Sequence, residues 1–220
     1  MKKLALLVLI ITAFTASAAF GDANSVIESA TAMVNELASE HDASDMAESL
    51  KSSYAIALIP SMFKAGFGFG GSYGEGLILV RKNGKWYGPS FYNIGGPSVG
   101  FQIGIESVSL LLSVVNERGV RAFLNSKTKL GGDVAIAAGP VGRRAEAATD
   151  AQAKASIYSY SISKGLFAGL SLEGSVISIS VKHNSQYWGN RITASDAITK
   201  PATDKRIQPL IKALNKLMSK

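Results

Sequence analysis

Apolar and polar positions change period twice along this chain. Val26, Ile27, Ala30, Met33, Val34 and Leu37 recur three or four residues apart. That spacing predicts an amphipathic helix over 24–38, with Glu28, Glu36 and Glu40 off its apolar stripe. Ser44 is placed to cap a second short helix carrying Met46 and Leu50. From Tyr54 to Val181 the pattern is that of strands. Tyr54 to Ile59 is an apolar run stopped by Pro60, and Gly76 to Val80 is another, followed by Lys82-Asn83-Gly84-Lys85. Asn-Gly between two such runs predicts a hairpin. Strands are also predicted at 107–115, 134–138 and 157–163, and Asn116 is placed to cap a short helix carrying Val120, Phe123 and Leu124. Tyr158, Tyr160 and Ile162 alternate with serines, as do Ile177, Ile179 and Val181. One apolar and one hydroxylated face predicts a sheet covered on one side. The period then returns to helical. Ile207, Leu210, Ile211, Leu214, Leu217 and Met218 form a stripe with Lys212, Lys216 and Lys220 off it, and Pro209 fits the first turn after a cap at Thr203 or Asp204. This basic amphipathic helix either closes the core of its own domain, the favoured expectation, or lies on an anionic membrane.

These elements predict an α+β fold: a strongly curved or barrel-like antiparallel sheet, its strands separated by glycine-containing turns, with amphipathic helices at both ends. The first residues stand apart. Lys2 and Lys3 precede an apolar run from Leu4 to Phe14, and Ala16-Ser17-Ala18 is an A-x-A cleavage pattern. Residues 1–18 therefore read as a secretory signal peptide, with Ala19 the new N-terminus. The run is too short for a membrane span. The expected divisions are a signal peptide at 1–18, a helical segment at 19–43, a main domain at 44–189 and a C-terminal helix at 190–220. The expected location is the periplasm or the peripheral envelope of a bacterium.

Charge is unevenly spread. The 220 residues carry a formal net charge of +7. Residues 22–53 hold seven acidic side chains and one lysine, whereas 182–220 hold eight basic and two acidic side chains. An acidic beginning and a basic end suggest anionic partners. The basic residues are too scattered to imply nucleic acid, and Trp86-Tyr87 and Tyr187-Trp188 are expected to pack rather than stack bases. The absence of cysteine removes disulfides, thiolate metal sites and a lipidated N-terminal cysteine.

Catalytic patterns occur in the wrong context. Gly66 to Gly71 matches G-x-G-x-x-G, and Gly70-Gly71-Ser72-Tyr73-Gly74 matches G-x-S-x-G. Both motifs need a helix after the turn, whereas here the strand at Leu77 follows. A hydrolase using Ser72 is a remote alternative, since a base would have to come from His41 or His183, both expected at the surface. No metal-ligand spacing and no cofactor motif is present.

The middle of the chain resembles the SYLF domain family. The resemblance is carried by Ile59-Pro60, Lys64-Ala65-Gly66-Phe67-Gly68, Gly70 to Gly76, Trp86-Tyr87-Gly88-Pro89-Ser90-Phe91 and Gly100 to Gly104. It continues through Lys129 to Asp133, Ala138 to Arg143, Tyr158-Ser159-Tyr160 and Ser163 to Gly174. It implies a non-enzymatic α+β domain that binds phospholipid, with phosphoinositide and actin binding as roles of eukaryotic members. An exported chain meets neither cytosolic actin nor phosphoinositides, so anionic phospholipid is the part expected to transfer. Lys64, Arg81, Lys82, Lys85, Arg143, Arg144, Lys154 and Lys164 are the candidate lipid-binding residues. Arginine suits bidentate phosphate contacts and lysine supplies a point charge. The adjacent pair Arg143 and Arg144 ranks first. The alternative is an envelope structural or interaction protein that binds another protein and no lipid.

Overall fold

A computed structural model describes residues 21–40, 43–139, 155–162, 172–189 and 191–220. Asp22 caps α1 (Ala23–Leu37), its Oδ1 accepting from the Ser25 N–H at 2.8 Å. That bond holds the Asp22 carboxyl below its usual range. After α2 (Ala43–Lys51) come two long strands, β1 (Ala55–Lys82) and β2 (Lys85–Val114). They are joined by the turn Asn83-Gly84, with φ of 50° and 74°, the left-handed pair that a two-residue hairpin needs. Asn116 caps α3 (Glu117–Ala122), its side chain accepting from the Gly119 N–H. Then follow β3 (Thr128–Lys129), β4 (Ile136–Ala138), β5 (Ile157–Ile162) and β6 (Val176–Ile179). Three helices complete the chain: α4 (Val181–Trp188), α5 (Ala194–Ala197) and α6 (Gln208–Met218).

β1 pairs with β2 antiparallel over nearly its whole length. On its other side β2 pairs with β5 through Ser109–Val114 and with β6 through Tyr92–Gly95. β3 adds to β6, and β4 adds to β5 in the one parallel pairing among the described strands. The long strands do not run straight. The Arg81 N–H donates to the Tyr54 carbonyl at 2.9 Å, and the Tyr92 hydroxyl donates to the Leu58 carbonyl at 3.3 Å. The first half of β1 therefore lies antiparallel beside its own second half. Counting the halves separately, eight segments follow one another around a curled sheet: β4, β5, late β2, early β1, late β1, early β2, β6 and β3.

Glycine permits this doubling back. A Cβ on Gly76 would run into the Leu58 carbonyl oxygen and lie 2.8 Å from Tyr92 Cζ. A Cβ on Gly74 would lie 3.0 Å from the Ser61 carbonyl. The expected short strands separated by glycine turns are corrected accordingly. Gly66, Gly68 and Gly70 sit inside β1, paired with Gly104, Gly100 and Ser98 of β2, and the ladder resumes after a register shift between Phe67 and Gly68.

The core has two parts, one on each sheet face. Ile56, Leu58, Leu77, Leu79, Phe91 and Leu111 pack against the apolar stripes of α1, α2 and α6. Ala57, Ile59, Ile78, Tyr92, Ile94 and Leu110 pack with Val120 and Phe123 of the α3 region, and with Leu130, Val134 and Leu172. The central sheet is thus covered on both sides, not one. The reason is visible in 55–59, 77–80 and 110–112, where consecutive positions are apolar rather than alternating. α6 belongs to the first core: Leu210, Leu214 and Leu217 are fully buried. It begins at Gln208 with no side-chain cap, because Asp204 instead accepts from the backbone and guanidinium of Arg206. Val181 also departs from expectation. It opens α4 and is exposed, since the Ser180 side chain caps that helix and ends the strand alternation.

Candidate functional site

The Asn83-Gly84 turn brings three of the eight candidate cations together. Lys82 and Lys85 are direct cross-strand partners and both are exposed. Like charges facing each other across a ladder cost stability, so this pair is not a device for folding. Arg81 is half-buried beside them. Its guanidinium Cζ lies 6.0 Å from the Trp86 ring centroid, and Nη1 donates to the Lys51 carbonyl at 3.4 Å and to Met218 Sδ at 3.8 Å. Trp86 is tied to α6 through Nε1, which donates to Asn215 Oδ1 at 3.0 Å. The ends of α2 and α6 therefore meet the hairpin end, bringing Lys51 and the last turn of α6 with Lys216. From the other face α3 adds Arg121, 3.7 Å from Glu117. Lys51 faces Glu48 at 3.9 Å. Both pairs are exposed and contribute little to stability.

The other candidates do not join this group. Lys64 is half-buried in β1, opposite Glu106 in register. Tyr54 lies level with Arg81, so Lys64, ten residues further on, is about 30 Å away along the strand. Arg143, Arg144, Lys154 and Lys164 lie outside the described residues. Arg121 was missed by sequence reading because only the fold of α3 brings it beside the hairpin.

Between the hairpin end and α3 runs a groove of about 620 Å³. Its lining includes Tyr54, Arg81, Lys82, Glu117 and Arg121 together with Val80, Val120 and Ile198.

The catalytic patterns take structural roles. Ser72 lies within β1 opposite Gly96 and donates to the Gly96 carbonyl at 3.2 Å, so no strand–turn–helix elbow exists there. His183 is buried rather than at the surface, at 1% exposed. Its Nδ1 pairs with Ser180 Oγ at 2.9 Å, and its Nε2 pairs with the Gly21 carbonyl at 2.9 Å and faces Glu75 Oε2 at 3.8 Å. The Tyr73 hydroxyl donates to Glu75 Oε1 at 3.4 Å. Burial, and then the Glu75 carboxylate, push that phenol up to about 12. Ser180 is itself buried and accepts from the His183 N–H, so this hydroxyl, imidazole and carboxylate tie α1 to α4 and β1. The signal was Ser180 three residues before His183, a helix-cap spacing read as strand. His41 lies outside the described residues. No group of three histidine or acidic side chains suited to a metal occurs among the described residues. Nor is any described helix long and apolar enough to cross a membrane.

Comparison with known proteins adds the lineage. Residues 95–217 match the family model described as Ysc84, Las17-binding protein actin regulator. LAS seventeen-binding protein 3 of Saccharomyces cerevisiae is 41% identical over 149 residues, covering 66% of this chain and 32% of the yeast protein. An SH3 domain-containing protein of Schizosaccharomyces pombe is 42% identical over 167 residues, covering 72% of this chain and 38% of its own length. SH3 domain-containing YSC84-like protein 1 of Bos taurus is 38% identical over 150 residues, covering 66% and 44%. The chain thus spans 32% to 44% of the length of these relatives. Their names describe binding and domain content, and no reaction.

Proposed function

Since the chain belongs to the Ysc84 family of Las17-binding protein actin regulators, we propose that it is a non-enzymatic member that binds anionic phospholipid at a membrane surface. In this proposal residues 1–18 direct export and are removed, and the mature protein works at the bacterial envelope. The observation that carries the reading is the hairpin end. Lys82 and Lys85 face each other with like charge, with Arg81 next to them in β1 and Arg121 across the groove from Lys82. The facing lysine pair costs stability, and each cation near an anionic surface contributes on the order of 1 kcal/mol. Four or five acting together give reversible, salt-sensitive attachment. Arg143 and Arg144 belong to the proposal from sequence.

Co-sedimentation with vesicles tests it. The protein is expected to pellet with vesicles containing phosphatidylglycerol, to be released as salt rises, and to stay in solution with purely phosphatidylcholine vesicles. Equal recovery with both would overturn the electrostatic reading. The relatives named as Las17-binding favour a second reading, a protein partner. A stoichiometric partner in a pull-down, without vesicle binding, would select it.

A further inference from the structure

The groove beside the hairpin end differs in chemistry from an evenly charged surface. Arg81, Lys82 and Arg121 line it against a single carboxylate, Glu117. Arg81 is partly committed to the Lys51 carbonyl and to Trp86, whereas Lys82 makes no ion pair among the described residues. Among the described residues Arg121 has one ion pair, an exposed contact to Glu117 at 3.7 Å, which an incoming anion can replace. Part of the lining is apolar: Val80, Val120 and Ile198 reach the groove while remaining at least nine-tenths buried. Tyr54 also lines it, 51% exposed and one of three large hydrophobic residues left exposed among the described ones. The groove is open to solvent along one side and has a volume of about 620 Å³. A purely polar anion leaves the apolar lining and Tyr54 unused, and an uncharged chain leaves Lys82 and Arg121 unused.

We propose that this groove binds one molecule of an anionic amphiphile, its head between Lys82 and Arg121 and its single apolar chain along Val80, Val120 and Ile198 against Tyr54. The head is a carboxylate or a phosphate monoester. The site shares Lys82 with the proposed membrane-facing end but needs no bilayer, so it stands or falls separately from surface attachment.

The test is calorimetric titration of the whole protein with dodecanoate and with dodecyl phosphate, each below its micelle concentration. Acetate and dodecyltrimethylammonium serve as controls. Saturable binding of one anionic amphiphile per chain is expected, with neither control binding at the same concentrations. Arg121→Ala should weaken binding about tenfold, the equivalent of one hydrogen bond to a charged group. Tyr54→Ala, at an exposed ring, should weaken it about fivefold through lost apolar contact. Circular dichroism of both variants should match the parent. No saturable binding, equal binding of the cationic amphiphile, or parental affinity in both variants would overturn the site. Vesicle co-sedimentation run in parallel separates the two ideas. Loss of vesicle binding with dodecanoate binding intact leaves the groove standing, and the converse removes the groove alone.

Discussion

Replacing Asn184 with alanine should expose how the sheet is completed where β6 ends. In the β2–β6 ladder Tyr92 pairs with Ile179, and the next pair would be Phe91 with Ser180. Only half of that pair is backbone: the Ser180 N–H donates to the Phe91 carbonyl at 3.0 Å. The chain then turns into α4, and the Asn184 side chain supplies the rest. Its Oδ1 accepts from the Phe91 N–H at 3.0 Å, and its Nδ2 donates to the Phe91 carbonyl at 2.8 Å and the Ser180 carbonyl at 2.9 Å. In Asn184→Ala both carbonyls keep a backbone donor, since the Asn184 N–H itself reaches Ser180. The Phe91 N–H keeps none, in a site where Phe91 and Asn184 are at most 1% exposed. An orphaned buried donor costs about 1–3 kcal/mol and each lost bond about 1 kcal/mol. With the Phe91 N–H orphaned and two further bonds lost, the total is about 3–5 kcal/mol, or a fall in Tm of about 6–20 °C for a domain of this size. Thermal unfolding followed by circular dichroism reads it, with exposed Asn35→Ala as a control expected within about 0.5 kcal/mol. A fall indistinguishable from the control would refute this account of Asn184.

Other substitutions probe the remaining claims. Gly76→Ala places a methyl against the Leu58 carbonyl and Tyr92, and should cost at least ~2 kcal/mol in denaturant unfolding; a neutral result would contradict the doubled-back β1. The bonds from Arg206 hold the Asp204 carboxyl below its usual range. Their contribution is therefore present above the unfolded value of 3.8 and is lost as pH falls through the lower folded value. Asp204→Asn should accordingly be destabilised by no more than ~1 kcal/mol at pH 7, with the difference closing below pH ~4; an unchanged gap at acid pH would disprove the linkage. Reversing Arg143 and Arg144 to Glu should weaken binding to anionic vesicles with unfolding unchanged, and parental binding would clear that pair.

What could be read in advance was whatever is local. α1 was legible because one face alone is apolar, the Asn83-Gly84 turn because few residues accept its backbone, and α3 because Asn116 caps it. The fold of β1 on itself was not. Glycines between apolar runs read as turns, and nothing before the structure places the Leu58 carbonyl against Gly76. α4 was hidden because Ile177, Ile179 and Val181 alternate as a strand does, and the Ser180 cap competes with that pattern over only eight residues. His183 was expected outside for the same reason, since its partners Gly21 and Glu75 are more than a hundred residues away in sequence. In the candidate site, Lys82 and Lys85 were legible from the turn between them. Arg121 and Tyr54 were not, because the groove exists only once α3 has packed beside β1.

The central claim is that the hairpin end meets an anionic membrane. Lys82→Glu with Lys85→Glu tests it most directly, because the exchange keeps like charges facing across the ladder while setting them near Arg81 and Arg121, so the fold is not weakened. Two cations at ~1 kcal/mol each are removed and replaced by repulsion. The variant should therefore bind phosphatidylglycerol vesicles at least ~30-fold more weakly than the parent, with a Tm no lower than the parent's. Equal vesicle affinity in the double variant and the parent would contradict the account.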